Sequence, residues 1–316
     1  MALTVLENVS LSDKNWFRTG GTARYYTEPR TDKEFQQALF FACDNKLSVF
    51  VLGEGANILV SDTGYQGLVI RPIQKDASIS SYSDAASLVT VKAGMNMQSL
   101  IDFCLNNNLV GLHEFSGIPG TVGGSLFVNL HYFEFFLSEF LYSADVIEKK
   151  TGSIHTVSPD WFCFGYNKST LYEEDFYLLS ATFLLNKATN EETWYARGRS
   201  AEIVRYRHRQ YPHKNTCGSF FRNFYEHEVS LIKDNKKMIY VAYYLDKVGI
   251  RGTLSHQSAS ISYQHANMFI TQKNAASQDV VTLARIAQQK VYDKFRIIPQ
   301  PECRFIGFRE YPLLLK

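Results

Sequence analysis

The sequence has none of the features that mark a secreted, membrane-bound or metal-binding protein. Its five cysteines are widely spread, and none stands at the spacing of metal ligands or suggests a disulfide framework. Residues 1–14 show no basic start followed by an apolar run, so no secretory signal is expected. No stretch approaches the length of a membrane span either. These absences together favour a protein of the reducing cytoplasm.

An excess of charge of either sign is also missing. The 33 Lys and Arg residues nearly balance the 31 Asp and Glu residues, which leaves a formal net charge of +2. This balance gives no reason to expect nucleic acid or a membrane surface as a partner. In contrast, apolar residues are plentiful: 316 residues with a hydrophobic content of 45% are enough for two or three domains with their own cores.

Glycine is concentrated in two loops. Gly117–Ser125 holds four glycines and a proline in nine residues, a composition that disfavours both helix and strand. Leu52–Asn57 is a second glycine loop, which follows a short apolar strand. Unpaired backbone N–H groups in such loops can bind a phosphate, although an isolated run of this kind is more often a structural turn. The third glycine of a Rossmann fingerprint is missing, so a standard dinucleotide site is not expected.

Hydrophobic spacing predicts mixed α and β structure. A helix is expected after Thr31, another over residues 97–105 and a long one capped by Ser277, between short apolar strands that include residues 49–52. From residue 191 to 209 the chain turns polar and basic. A solvated helix face is the ordinary interpretation of such a run, and a contact with the pyrophosphate of a nucleotide is the alternative.

Six short motifs occur in the order that is typical of one protein family. They are Gly53–Asn57 with Ser61 and Asp62, Gly117–Gly124, Phe164–Tyr166 with Ser169, Gly218–Asn223, His265–Asn267 and Pro301–Gly307. With these motifs the chain resembles the FAD-dependent UDP-N-acetylenolpyruvoylglucosamine reductases from about residue 15 to 308. It resembles the form of the family that lacks an inserted substrate-closing loop.

The resemblance implies an α+β fold, in which a two-lobed FAD-binding domain of the vanillyl-alcohol-oxidase/PCMH type precedes a smaller α+β substrate-binding domain. The expected segments are residues 1–75 and 76–212 for the two lobes, 213–300 for the substrate-binding domain and 301–316 for a C-terminal strand and tail. The implied reaction is reduction of UDP-N-acetylglucosamine enolpyruvate to UDP-N-acetylmuramate with FAD and NADPH, in peptidoglycan precursor synthesis. A monomer that binds a nucleotide sugar is expected, without nucleic acid, membrane or metal.

The resemblance also implies roles for individual residues. Ser219 would donate a proton to the carbanion of the substrate, and Glu302 would act as a general acid toward the enol intermediate. Without the family, Ser219 would be a turn residue and Glu302 a salt-bridge partner of Arg304. The implied cofactor-binding residues are Gly53, Glu54, Gly55, Ala56, Asn57, Ser61, Gly117, Ile118, Pro119, Gly120, Thr121, Gly123 and Gly124. The implied substrate-binding residues are Tyr166, Ser169, Arg222 and Asn223.

The sequence departs from the family at three places. Tyr166 is followed by Asn167 and Lys168 where the family has Tyr-Arg-x-Ser, and asparagine brings no charge for a bidentate contact with a carboxylate. Lys168 could supply that charge as a catalytic partner only from an irregular backbone, since neighbouring side chains of a strand face opposite ways. Residues 130–134 are bulky where the family has small residues, and residues 257–258 replace two glycines.

These departures leave two other interpretations open. One is a related FAD-linked oxidoreductase that acts on another substrate. The other is a degenerate homologue that binds flavin or nucleotide without turnover.

Overall fold

The computed structural model describes residues 3–315, which group by contact into two compact units. Within that range the first unit comprises residues up to 7, 25–54 and 67–207, and the second comprises 8–24, 55–66 and 208 onward. Each unit therefore collects discontinuous segments of the chain. The four domain segments expected from the sequence stay a prediction, because this grouping follows contacts and not the order of the chain.

Strands and helices alternate along the chain, as the hydrophobic spacing indicates. The strands are β1 (Leu6–Ser10), β2 (Thr22–Thr27), β3 (Val49–Val51), β4 (Ile58–Val60), β5 (Tyr65–Ile70), β6 (Ala77–Ser81), β7 (Ala86–Lys92), β8 (Leu109–Val110), β9 (His131–Tyr132), β10 (Phe135–Phe136), β11 (Leu141–Glu148), β12 (Ile154–Val157), β13 (Phe176–Lys187), β14 (Ile232–Lys233), β15 (Lys236–Lys237), β16 (Ser255–His256), β17 (Ala259–Ile261), β18 (Phe269–Thr271) and β19 (Arg304–Ile306). The α-helices are α1 (Asp32–Asp44), α2 (Met97–Asn106), α3 (Val122–Phe127), α4 (Asn190–Gln210), α5 (Val241–Lys247) and α6 (Ser277–Phe295).

The first unit is built on an antiparallel sheet with the strand order β12-β11-β13-β7-β6, and β8 also pairs with β13. The register places Ala144 opposite Ala181 and Thr182 opposite Thr90. Helix α2 begins where the Asn96 side chain accepts hydrogen bonds from the first-turn N–H groups, and it buries its apolar stripe in the core beside this sheet. In the same unit β3 pairs in parallel with β5, and α1 packs its buried face in the core with these strands.

The second unit combines the three-stranded sheet β16-β17-β18 with the parallel pair β4 and β19. Its core is aromatic: the rings of Phe220 and Phe269 stack with their centroids 4.4 Å apart, and Tyr244 is fully buried. Helix α6 contributes a stripe of buried residues at helical spacing, which the sequence predicts (Val280, Ala284, Ala287 and Val291). Of the helices within residues 3–315, none combines the length and the apolarity that crossing a bilayer requires.

Helix α6 receives its N-terminal cap from a distant residue, so the expectation that Ser277 caps it is wrong. Ser277 is the first helical residue, and its backbone N–H donates to Asp62 Oδ1 at 2.8 Å. The next N–H, that of Gln278, donates to Asp62 Oδ2 at 2.9 Å. The Ser277 hydroxyl instead donates to the Val60 carbonyl. The carboxylate therefore satisfies two first-turn donors that no residue of the helix can reach.

Replacing Asp62 with alanine should lower the free energy of unfolding by about 1–2 kcal/mol, the usual cost of losing a helix cap. Asp62→Asn is the matched variant, because its amide oxygen keeps one acceptor while the charge at the helix N-terminus is lost. It should fall between wild type and Asp62→Ala in urea denaturation followed by circular dichroism. Equal stability of all three proteins would contradict the capping role.

Candidate functional site

In the first unit the two glycine loops lie against each other. A Cβ added to Gly53 would come within 2.5 Å of Thr121 Oγ1, so only glycine fits at this point. Thr121 is the N-cap of α3, where its hydroxyl accepts from the Gly124 N–H at 3.2 Å. The sequence prediction that these two loops belong to one site is consistent with this close approach. The separate roles of their residues in cofactor binding stay predictions.

Glu54 joins the two loops by its carboxylate. One oxygen accepts from the Gly120 N–H at 3.1 Å, and the other accepts from Asn96 Nδ2 at 2.5 Å. Asn96 at the same time caps α2 with its own side-chain oxygen. An anion therefore already occupies one amide of the glycine loop, which shows that this backbone can bind negatively charged oxygen.

The outer side of the second glycine loop is open. Apart from the chain neighbours, the nearest atom to a Cβ placed on Gly120 is Ser125 Oγ at 3.8 Å. The nearest atom to a Cβ placed on Gly124 is Thr121 Oγ1 at 3.6 Å. Gly120 also has a φ of +137°, in the region that favours glycine. The N–H groups of Gly120 and Gly124 already donate to Glu54 and to the Thr121 hydroxyl. The loop thus leaves room beside the Cα atoms of these two glycines for a cofactor such as FAD to approach the backbone closely.

One arginine of the basic run reaches this loop. The run forms α4, and Arg207 Nε donates to the Gly117 carbonyl at 3.1 Å while its guanidinium lies 5.5 Å from the centroid of the Tyr132 ring. Arg199 is paired with Glu114 and Glu202 on the same unit. The basic run is therefore partly an ion-paired helix face, and Arg207 is its link to the candidate phosphate loop.

The continuation of the first glycine loop belongs to the second unit. Gly55 has a φ of +66°, and a Cβ there would strike the Lys14 carbonyl oxygen at 2.5 Å. The Oδ1 atom of Asn57 is buried without a hydrogen-bond partner, which leaves an acceptor for a ligand hydroxyl or amide. Ser61 Oγ accepts from the Thr63 N–H at 3.2 Å, so its hydroxyl supports the local turn. Ala56 lies half-buried between these residues.

The segment with Asn167 is a tight turn, which supplies the irregular backbone that a role for Lys168 requires. Gly165 and Lys168 exchange two backbone hydrogen bonds of 3.0 and 3.3 Å, and Asn167 has a φ of 52°. Asparagine tolerates this left-handed conformation better than most residues. The Lys168 side chain is exposed, whereas the Ser169 hydroxyl is buried and donates to the Phe127 carbonyl at 2.7 Å.

A group of buried polar atoms lies beside this turn, and sequence reasoning gave no role to two of its residues. Asn129 Oδ1, His131 Nδ1 and Asn167 Nδ2 are buried without hydrogen-bond partners. Burial lowers the pKa of His131 below its ordinary value, against a smaller opposing effect of the Asn129 backbone. An unpaired buried polar group costs about 1–3 kcal/mol. The departure from the family over residues 130–134 was a sequence signal for His131, and Asn129 had none.

In the second unit, backbone hydrogen bonds bring the segments of Ser219 and Glu302 together. Ser219 forms a bridge with Met268, and the Glu302 N–H donates to the Phe220 carbonyl at 2.8 Å. Asn267 secures this arrangement, since its side chain accepts from the Phe221 N–H at 3.0 Å and donates to the Phe221 carbonyl at 2.7 Å. Three of the six sequence motifs therefore meet at one place, while the chemical roles of Ser219 and Glu302 stay predictions.

Arg222 and Asn223 already have protein partners. Both terminal nitrogens of Arg222 donate to the Glu228 carboxylate, at 2.7 and 3.0 Å, and the guanidinium stacks 4.3 Å from the centroid of the Tyr225 ring. Asn223 Oδ1 accepts from the N–H of Val241, the first residue of α5. Their expected contacts with substrate stay predictions, and the structure gives both residues a further role in ordering this segment.

The remaining departure from the family, at residues 257–258, has a local explanation. Gln257 has a φ of 48° in the two-residue turn between β16 and β17, a conformation in which glycine is favoured.

Burial, together with the neighbouring Cys303, raises the pKa of the Cys217 thiol well above its ordinary value, so this thiol is held protonated. Within residues 3–315 no group of three or more His, Cys, Asp or Glu side chains could hold a metal ion.

Comparison with known proteins gives matches to two family models, to relatives of the whole chain and to a solved structure. The chain matches the model of an FAD binding domain over residues 23–158 and that of the C-terminal domain of UDP-N-acetylenolpyruvoylglucosamine reductase over residues 210–306. It is 30% identical to the UDP-N-acetylenolpyruvoylglucosamine reductase of Caldicellulosiruptor bescii over 98% of this chain and 93% of the relative. It is also 30% identical to that of Trichormus variabilis, over 92% of this chain and 83% of the relative.

A solved structure carries the same fold. The crystal structure of UDP-N-acetylenolpyruvylglucosamine reductase from Thermus caldophilus superposes with a TM-score of 0.76 over 96% of this chain and 99% of that one, at 24% identity. Together with the match to an FAD binding domain, this likeness confirms the fold class expected from the sequence.

The open side of the glycine loop leads to a test that separates cofactor binding from stability. Gly124→Ala and Gly198→Ala both place a methyl group in an uncrowded position of a helix, so each should raise the free energy of unfolding by about 0.5–1 kcal/mol. Only Gly124→Ala should weaken FAD binding, by about tenfold or more, because its methyl group would fill the space through which the cofactor is expected to approach the loop.

Flavin fluorescence titration of the apoprotein measures the FAD affinity, and thermal unfolding measures the stability. Gly198→Ala is the matched control on the exposed face of α4. Unchanged FAD affinity in Gly124→Ala would remove this loop face from the cofactor site.

Proposed function

The chain belongs to the UDP-N-acetylenolpyruvoylglucosamine reductase family, and we propose on this basis that it reduces UDP-N-acetylglucosamine enolpyruvate to UDP-N-acetylmuramate. The family resemblance expected from six sequence motifs is thereby confirmed. NADPH is the proposed source of the hydride and FAD the proposed carrier. The protein would act in peptidoglycan precursor synthesis, in the cytoplasm and as a monomer, with a nucleotide sugar as its substrate.

The observation that carries the proposal is a set of hydrogen bonds that brings the Ser219 and Glu302 segments together. The Glu302 N–H donates to the Phe220 carbonyl, and the Asn267 amide binds the backbone of Phe221. A hydroxyl and a carboxyl group carried by adjacent backbone segments would together deliver protons to one substrate. Reduction of an enolpyruvyl double bond requires such delivery, because the carbon next to the carboxylate must gain a proton when the terminal carbon gains a hydride. No metal is required for this chemistry.

FAD, when bound, would accept a hydride from NADPH and pass it to the substrate. In the first unit the uncrowded backbone at Gly120 and Gly124 would let this cofactor approach closely, and the Gly53–Thr121 contact would fix the distance between the loops. Glu54 would keep this loop in shape through its bonds to Gly120 and Asn96. The protein therefore supplies a preformed backbone cradle, and the cofactor supplies the redox step.

Ser219 would act as the donor to the substrate carbon, and Glu302 as the acid that supports the enol intermediate. A serine hydroxyl is a weak acid in water, so it is effective only toward a strongly basic centre such as a developing carbanion. The positive φ of Gly218, +77°, turns the chain just before Ser219, and a Cβ on Gly218 would meet no atom within 4 Å. Apart from the two chain neighbours of Gly218, no described residue therefore crowds the backbone at this glycine.

A flavin-binding homologue without turnover is the second candidate. The specific observation in its favour is Asn167, an uncharged residue whose side-chain nitrogen is buried and unpaired in the first unit. The third interpretation, another FAD-linked oxidoreductase, shares the cofactor but not the substrate. The two half-reactions separate the proposed function from the other two interpretations, because reduction by NADPH tests the cofactor and reoxidation tests the substrate.

Ser219→Ala should leave the rate of flavin reduction by NADPH unchanged and slow the reoxidation of reduced flavin by substrate about 10²–10⁴-fold, the usual range for one acid–base group. Anaerobic stopped-flow absorbance of the flavin measures both steps in the same preparation. Equal loss in both half-reactions would contradict the role of Ser219 as proton donor.

The wild-type protein provides the test of the function itself. Reduced flavin should return to the oxidised yellow form when UDP-N-acetylglucosamine enolpyruvate is added without oxygen. Flavin that is present but stays reduced would indicate another substrate or the degenerate homologue. A colourless protein that cannot be reconstituted with FAD would contradict both enzyme interpretations.

A further inference from the structure

In the second unit, the backbone of Phe220 and Phe221 links the two residues that are expected to deliver protons. Ser219 immediately precedes this backbone in the chain. On one side the Glu302 N–H donates to the Phe220 carbonyl at 2.8 Å, and Phe221 forms an antiparallel bridge with Pro301. The place of Ser219 relative to Glu302 therefore depends on how firmly these two phenylalanines are held.

Asn267 holds the other side of the same backbone. Its carbonyl accepts from the Phe220 N–H at 2.9 Å. Its side-chain oxygen accepts from the Phe221 N–H at 3.0 Å, and its side-chain nitrogen donates to the Phe221 carbonyl at 2.7 Å. A side-chain amide carries the same donor and acceptor as a peptide group, so Asn267 takes the place of a neighbouring strand. Every N–H and carbonyl of the two phenylalanines is thereby paired.

Asn267 is itself fixed before any ligand arrives. The residue is only 2% exposed, and its backbone N–H donates to His265 Nδ1 at 3.2 Å. The Met268 N–H donates to the His265 carbonyl at 3.1 Å, which closes a tight turn around Asn267. Burial lowers the pKa of His265, so the imidazole stays neutral and its Nδ1 can accept. The amide therefore has one defined position against the Phe221 backbone.

We propose that Asn267 is a positioning residue for proton transfer, which acts through the backbone of Phe220 and Phe221 on the place of Ser219 relative to Glu302. This inference rests on the proposed function, which gives Ser219 and Glu302 their roles. A serine hydroxyl protonates a developing carbanion only from a well-defined distance and direction. A displacement of about 1 Å is enough to slow such a step about 10²-fold.

Loss of the Asn267 amide would force the backbone to move. Phe221 is 1% exposed, so solvent cannot replace the two lost partners while the chain stays in place. The bonds from Glu302 and Pro301 hold the opposite side only, and the Phe221 N–H and carbonyl would have to turn toward new partners. Such a shift carries the adjacent Ser219 with it. The expected effect is thus on the rate of proton delivery, with the aromatic core of the unit still packed.

Asn267→Asp is the sharpest test, because a carboxyl group has the shape of an amide but can donate only when it is protonated. In its ionised form the second oxygen faces the Phe221 carbonyl and repels it. Burial and this carbonyl should raise the pKa of the introduced carboxyl group above its ordinary range. Well above that pKa, reoxidation of reduced flavin by substrate should be about 10²-fold slower than in wild type. The rate should recover about tenfold per pH unit as the pH falls toward the pKa, because protonation restores the donor.

Anaerobic stopped-flow absorbance of the flavin measures both half-reactions over a range from about pH 5.5 to 8.5, with UDP-N-acetylglucosamine enolpyruvate as the probe. Each rate is expressed as a ratio of variant to wild type. This ratio cancels the titration of the groups that both proteins share on the segments around Asn267 (Cys217, Arg222, His265, Glu302 and Cys303). The FAD content, the rate of flavin reduction by NADPH and the dissociation constant of the substrate should equal those of wild type. A general loss of folding would change all of these quantities.

Three further variants separate positioning from other effects. Asn267→Ala should slow reoxidation without any recovery at low pH, because it can donate at no pH. Asn235→Asp makes the same change in the exposed turn between β14 and β15, and it should behave as wild type. In a protein that already carries Ser219→Ala, Asn267→Asp should slow reoxidation by a smaller factor than it does alone, because the group that it positions is absent.

The outcomes distinguish this inference from the proposed function. If substrate reoxidises wild type, but Asn267→Asp keeps the wild-type rate at every pH, the inference is wrong and the function stands. Equal slowing of both half-reactions, or equal slowing with and without Ser219, would also contradict the inference, because Asn267 would then act on stability alone. If wild type holds FAD but substrate does not reoxidise it, the proposed function fails and the inference fails with it.

Discussion

The structure depends throughout on the need to pair backbone groups in segments that are neither helix nor strand. The motif segments are short and irregular, so their N–H and C=O groups find few partners in regular secondary structure. Side chains from distant parts of the sequence provide the partners instead. Glu54 pairs with Gly120, Asn267 pairs with Phe221, and Asp62 pairs with the first turn of α6. Glu54 and Asn267 each hold a segment that carries a predicted functional residue or its neighbour, and Asp62 holds the start of a core helix.

This way of holding the loops decides where ligands can approach. Where a protein side chain already occupies a backbone amide, as Glu54 does at Gly120, the loop has a fixed shape before any ligand arrives. The Gly124 N–H is likewise bound, by the Thr121 hydroxyl, and the space beside its Cα leaves a preformed surface for a ligand. Preformed loops lose less conformational entropy when a ligand binds, and this favours tight binding of a cofactor that stays on the protein. The same argument applies in the second unit, where Asn267 fixes the Phe221 backbone next to Ser219.

The sequence predicted the parts of this protein that depend on local patterns. Helical spacing identified the buried stripes of α2 and α6, and glycine content identified the two loops that meet at Gly53 and Thr121. The contacts made by Asp62, Asn267 and His131 were not predictable, because their partners lie far along the chain or on another loop. A capping residue, for example, is recognisable in sequence only when it immediately precedes the helix, whereas Asp62 lies 215 residues before Ser277. The motif His265–Asn267 was noted in the sequence, but its structural role required the fold.

Asn167 illustrates why a departure from a family pattern is weak evidence for lost activity. Its φ of 52° lies in the left-handed region, which costs most residues with a Cβ about 1–2 kcal/mol and costs asparagine less. A change to asparagine at such a position therefore relieves backbone strain in the turn at the same time as it removes a charge. In the sequence alone, the loss of charge at Asn167 is the only visible change, and this loss suggests a disabled site. In the turn between Gly165 and Lys168, the same residue is one that the backbone favours. The meaning of the substitution thus depends on the conformation of the backbone as much as on the charge of the side chain.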